Sequence, residues 1–165
     1  FLLQLPMGYP DREEGMTILR RHLGDEPIRS LGPVCGRDQV LAARERVRDV
    51  FVHDALMDYI LRLTEATRTH EAVALGASPR GAVALLRAAR ALAAIRGRAF
   101  LLPDDVRDLA VPVLAHRLML RGIVRGRTQA SMDLVARILE EQPVPAEDWP
   151  DSRHDTHPGV RSPVR

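Results

Sequence analysis

Apolar side chains recur at helical intervals through most of the chain. Leu56, Tyr59, Ile60 and Leu63 fall at i, i+3, i+4 and i+7, which gathers all four on one face of a helix opening at Asp54. Ala82, Leu85, Leu86, Ala89, Leu92 and Ala93 continue the pattern, and their many alanines let a neighbouring helix approach closely. Leu134, Val135, Ile138 and Leu139 mark another stripe, in a helix placed at Ala130–Glu141. Faces of this kind must be covered by other helices, so the expected fold class is all-α, a small helical bundle.

Start and stop signals set the other elements. Pro10, Asp11 and Glu14 form an Asp-led capping box, predicting a helix over Arg12–Leu23 with Met16, Leu19 and Leu23 on its apolar side. Gly24–Gly36 reads as loop and Asp38–Arg48 as helix, with Val40, Ala43 and Val47 spaced i, i+3, i+7. Val50–His53 and Phe100–Leu102 read as extended. Ser78 is a favoured N-cap and Pro79 a favoured first residue for a helix at 78–96, closed by Gly97. Pro103, Asp104 and Asp105 open a fifth helix that Pro112 should break or kink, with the apolar pattern resuming to Leu120. Phe1–Leu5 is apolar and stopped by Pro6 and Gly8, so it reads as a buried strand whose partners lie upstream, at the cut end of a longer protein. From Pro143 onward prolines and charges dominate, and residues 143–165 are expected to be a disordered tail.

Composition removes several chemistries. All 24 basic residues counted as lysine or arginine are arginine, and asparagine is also missing. A phosphate loop ending in GKS or GKT is therefore impossible within these residues, as is any catalytic or Schiff-base lysine. Both absent residues have A-rich codons, so a GC-rich genome accounts for the bias. Against 22 acids the net charge is +2, a weak excess for a dedicated nucleic-acid binder. The single cysteine, Cys35, excludes an internal disulfide and fits a reducing compartment. No apolar run is long enough to span a membrane. The six histidines show no ligand spacing; His154 and His157 are an incidental pair in the tail, and no metal site is expected.

Arg80 is the informative residue. With Ser78 as cap and Pro79 as first residue it stands second in its helix, where the partial positive charge disfavours a cation. An arginine there makes sense when an anion lies opposite, since guanidinium and free helix N–H groups then act together. Arg87 and Arg90 fall near the polar side of the same helix. Arg121, Arg125 and Arg127 mark a basic loop at 121–128, read as hydrated.

The segment LGASPRG at Leu75–Gly81, followed by AVALLRAARALAAIRGR, resembles the sensor-2 segment of the MoxR family of AAA+ ATPases. FLLQLPMGYPDREE resembles that family's last core strand running into its first lid helix, and LLPDDVRDLAVPVLAHRL at Leu101–Leu118 is similar to its TPDDV helix and the AHRL that follows. The resemblance is continuous over residues 1 to 120 and weaker to 144. It implies residues 1–10 as the end of the ATPase core, 11–142 as the helical lid with the sensor-2 helix at 78–96, and 143–165 as tail. It implies ATP with Mg2+ as cofactor, the magnesium ligands and Walker motifs lying upstream. It also implies a homo-oligomeric ring, six-membered by family habit, a cytoplasmic location, and client proteins that include von Willebrand factor A domain partners. Arg80 would contact the ATP γ-phosphate as a catalytic and nucleotide-binding residue, with Ser78 and Pro79 fixing the helix start that aims it. Three positions depart from the family pattern: Leu102 in place of a threonine cap, which should fray the fifth helix, Gly15 in place of a helix former, and Gly81 in place of alanine. A freestanding arginine-rich nucleic-acid-binding module and an inert helical adaptor are the competing readings.

Overall fold

The computed structural model describes residues 1–24, 27–122 and 127–146. Among them run six α-helices: α1 (Arg12–Arg21), α2 (Arg37–Arg48), α3 (Asp54–Thr69), α4 (Pro79–Ile95), α5 (Pro103–Leu114) and α6 (Arg127–Glu141). Two short strands, β1 (Val73–Leu75) and β2 (Met119–Leu120), pair antiparallel with Val73 opposite Leu120. The all-α reading therefore holds, with this ribbon as the addition that sequence reasoning missed. Strands of three and two residues are too short to display a period of two.

The core is built from α3 to α6. Leu56, Tyr59, Ile60 and Leu63 of α3 are buried as their spacing predicts, as are Ala82, Leu85, Ala89 and Ala93 of α4 and Leu134, Val135, Ile138 and Leu139 of α6. The alanine-rich face of α4 packs most extensively on α5, which brings Val106, Ala110, Val113 and Leu114 to the same core. Gly97 adopts φ +75°, a conformation glycine enters without Cβ strain, and the N–H groups of Gly97 and Arg98 return to Ala94 and Ala93 to close α4. Near the start of the core, Phe51 bridges Phe100 in parallel, in keeping with both segments' extended reading.

Several expectations are corrected. Among the described residues Phe1–Leu5 has no strand neighbour and makes one backbone bond, Gln4 N–H to the Pro112 carbonyl at 2.8 Å, while Phe1, Leu2 and Leu5 are exposed where a buried segment was expected. The α1 capping box forms as read, Glu14 N–H to Asp11 at 2.8 Å and Asp11 N–H to Glu14 at 3.0 Å, yet α1 ends at Arg21 and buries no residue. Met16, Leu19 and Leu23 are exposed. α2 likewise buries none; Val40, Ala43 and Val47 line one side of an open groove of ≈ 650 Å³ whose other side is Ala91, Ala94 and Ile95 of α4. α6 begins at Arg127, three residues before its expected start. Of the basic loop, residues 123–126 lie outside the described residues, while Arg121 donates to the Val73 carbonyl at 3.1 Å. The tail beyond residue 146, with His154 and His157, also lies outside them.

The fifth helix begins at Pro103 with Leu102 as its N-cap, and the Leu102 side chain makes no capping bond. Asp105, the third residue of α5, is fully buried and accepts from the Leu102 N–H at 3.0 Å, from Arg98 at 2.7 Å and from Arg96 at 2.9 Å. The carboxylate thus satisfies the N-cap N–H, as the third residue of a capping box does, while the Asp105 N–H, which a threonine hydroxyl would accept, turns to the Leu102 carbonyl at 3.1 Å. Burial alone would raise the Asp105 pKa; the hydrogen bonds from Arg98 and Leu102 and the charge of Arg98 outweigh it, and the group is held below the usual aspartate value. Pro112 lies two residues before the end of α5, which passes into a 3-10 turn at Ala115–Arg117.

Candidate functional site

The candidate site begins on α3. Thr67 is buried; its hydroxyl donates to the Thr64 carbonyl at 2.6 Å and accepts from the Ala77 N–H at 2.9 Å. Arg68 Nε donates to the Ala77 carbonyl at 2.7 Å. Both backbone groups of Ala77 are therefore tied to the last turn of α3. Gly76 makes this approach possible, because a Cβ there would stand 2.7 Å from Arg68 Cα and 2.7 Å from the Thr67 carbonyl oxygen. The chain then turns through Ser78 into α4. Thr67, Arg68 and Gly76 fix where α4 starts, and the sequence reading missed the first two. Thr67 carries a usable signal: it continues the buried side of α3, at Leu56, Leu63 and Thr67, with a polar group that must find a partner.

Ser78 is the N-cap of α4 and Pro79 its first residue, as read. The Ser78 hydroxyl makes no capping bond, however, and the first turn holds no acidic residue. Arg80 is exposed at the second position. Among the described residues neither Arg80 nor Arg87 has an ion pair or hydrogen bond. Both line an open groove of ≈ 450 Å³ together with Phe1, Leu2, Val83, Ala84 and Arg117. Three guanidinium groups and a helix N-terminus border this space, and no carboxylate among the described residues does. The arrangement can hold an anion with several oxygens, such as a phosphate chain.

Most other described arginines are occupied within the fold. Arg96 pairs with Asp105 and Asp108, Arg62 with Asp58, and Arg48 with Glu45. Arg90 donates to the Arg48 carbonyl, Arg107 to that of Leu139 at 3.0 Å and Arg98 to that of Phe100 at 3.3 Å. These contacts tie helices and loops to one another. Asp104 is exposed and Asp105 is structural. Cys35 is free and exposed. Among the described residues no three His, Cys, Asp or Glu gather as a metal site, and no helix is long and apolar enough to cross a membrane.

Comparison with known proteins bears on the fold as a whole. Residues 65–141, from the middle of α3 to the end of α6, match the AAA lid domain family. The chain is 34% identical over 147 residues to the uncharacterized protein YeaC of Bacillus subtilis, covering 89% of this chain and 46% of that protein. It is 34% identical over 154 residues to the chaperone MoxR1 of Mycobacterium tuberculosis, covering 88% and 40% respectively. The protein MoxR of Paracoccus denitrificans is 38% identical over 106 residues. A crystal structure of a "putative ATPase" from Cytophaga hutchinsonii superposes with a TM-score of 0.75 at 25% identity, over 88% of this chain and 47% of that one. The chain spans less than half the length of YeaC and MoxR1. The chain thus carries an AAA lid domain over residues 65–141, and over nearly nine-tenths of its length it is similar to YeaC and to the chaperone MoxR1.

Proposed function

We propose that this chain is the lid of an ATP-driven, chaperone-like remodelling protein, and that Arg80 reads the γ-phosphate of ATP. The carrying observation is an exposed arginine at the second position of α4 that has no ion pair among the described residues, beside a groove lined by three arginines and four apolar residues. Those residues fit an anionic phosphate group, which brings Mg2+ with it and supplies the energy of hydrolysis. Arg80 binds the terminal phosphate in its own or a neighbouring subunit. α4 is packed along its length on α5 and anchored to α3 through Ala77, so a pull on Arg80 is borne by the whole lid. When Arg80 loses its partner, the lid's preferred angle changes. Residues 11–142 act as this lid, 1–10 join it to an ATPase core, and 143–165 follow as a tail. The assembly is a homo-oligomeric, six-membered ring in the cytoplasm whose clients include von Willebrand factor A domain proteins.

The test is Arg80→Ala in the full-length protein. Loss of one preorganised charge donor is expected to lower the ATP hydrolysis rate by ~10²–10³-fold. Unchanged hydrolysis together with unchanged nucleotide-dependent assembly would overturn the reading. The isolated 165-residue chain, lacking any lysine for a phosphate loop, is expected to be silent in the same assay.

A further inference from the structure

The turn Ala115–Arg117 stands where three parts of the molecule meet. α5 ends beside Pro112, and its last carbonyls need donors from outside the helix. The Pro112 carbonyl lies 2.8 Å from the Gln4 N–H and 3.1 Å from His116 Nδ1. The Val113 carbonyl accepts from Arg117 Nε at 2.8 Å. From that anchor, Arg117 Nη2 donates to the carbonyls of Phe1 at 2.7 Å and Leu2 at 3.1 Å. The Arg117 stem also passes beneath the first turn of α4, its Cδ 3.6 Å from where a Cβ on Gly81 would lie. One side chain therefore touches the end of α5, the segment 1–2 and the turn that carries Arg80.

We propose that Arg117 is a positioning residue, a latch that holds the backbone of residues 1–4 against the end of α5 and so fixes the wall of the groove facing Arg80. The chemistry suits arginine. Its rigid fork presents several donors in one plane, whereas a lysine ammonium offers a single point charge on a flexible stem. Its charge also complements the negative end of α5. Recognition runs through carbonyl oxygens, so the latch reads the position of the segment and not its side chains. Phe1 and Leu2 are exposed accordingly. Without Arg117, one backbone bond from Gln4 and the packing of partly buried Leu3 on the core would remain to hold the segment. The latch itself is independent of the nucleotide reading; its consequence for Arg80 rests on that reading.

The test is backbone ¹⁵N relaxation on the 165-residue chain. Order parameters for Leu2–Gln4 are expected near the ~0.85 of rigid backbone, and below about 0.6 in Arg117→Gln, with α3, α4 and α5 unchanged. Arg117→Lys keeps the charge and most of the stem, so it guards against a variant that fails to fold; it is expected to lose order in the same segment. A segment already flexible in the parent chain, or equally ordered in Arg117→Lys, overturns the proposal. Arg80→Ala is expected to leave these order parameters unchanged. In the full-length protein, Arg117→Lys should raise KM for ATP severalfold with a smaller change in kcat. Should Arg80→Ala there leave hydrolysis unaffected, the nucleotide reading fails while the order parameters still decide the latch.

Discussion

Gly76→Ala separates two arguments that give opposite signs. The φ of Gly76 lies outside the left-handed region, so alanine meets no backbone strain there. On chain entropy alone the substitution should stabilise by about 0.4–1 kcal/mol, because alanine restricts the unfolded state. The structure places the new Cβ 2.7 Å from Arg68 Cα and from the Thr67 carbonyl oxygen, both backbone atoms of α3. Reaching ordinary contact at about 3.4 Å requires a retreat of roughly 0.7 Å, and overpacking of this kind costs ~1–3 kcal/mol. The same retreat stretches the 2.9 Å bond from Ala77 N–H to Thr67 beyond about 3.5 Å, where it ceases to be a hydrogen bond. A buried N–H left without a partner adds ~1–3 kcal/mol. The net expectation is destabilisation by about 2–4 kcal/mol. Thermal unfolding of the 165-residue chain, followed by circular dichroism, should show Tm lowered by roughly 10 °C or more. Combining Gly76→Ala with Thr67→Val should cost less than the sum of the two, since both remove one bond. An unchanged or raised Tm for Gly76→Ala would refute the close-approach argument and leave the placement of α4 unexplained.

Further outcomes follow from the same contacts. Asp105→Ala strands the Leu102 N–H and removes the partner shared by Arg96 and Arg98, so a loss of about 3–5 kcal/mol is expected in denaturant unfolding, against a fraction of that for exposed Asp104→Ala. Because the folded Asp105 pKa is depressed, its contribution is present above the unfolded value near 4 and is lost as pH falls below it; an acid titration of stability should be flatter in Asp105→Asn over that range. Arg80→Ala removes no hydrogen bond or ion pair among the described residues and should shift stability by no more than ~0.5 kcal/mol, so that any loss of hydrolysis in the full-length protein cannot be ascribed to unfolding. Gly81→Ala gains up to ~1 kcal/mol of helix propensity against a 3.3 Å contact with Ala77 Cβ that a small shift relieves, and a Tm at or slightly above the parent's is expected.

The sequence by itself determined the helices of the core and the head of α4. A stripe such as Leu56, Tyr59, Ile60 and Leu63 is local information, because the period of 3.6 acts within one element. Ser78, Pro79 and Gly97 are local signals too, and each stands where it was read, although the Ser78 hydroxyl does not cap. Periodicity alone could not say whether a stripe finds cover. Met16, Leu19 and Leu23 carry the same kind of pattern and remain exposed, because burial depends on what lies opposite. Nor could it say that Phe1–Leu5 would be held through carbonyls by Arg117, 115 or more residues away along the chain. The exposure of Arg80 was legible from its position in a helix start; its lack of an acidic partner among the described residues required knowing where their carboxylates went. Asp105 reads as one of two helix-opening acids, and only the packing of α4 on α5 turned it into the buried partner of two arginines. Elements arise from neighbours in sequence, whereas the groove, the latch and the Thr67–Ala77 anchor are made of groups that only the folded chain brings together.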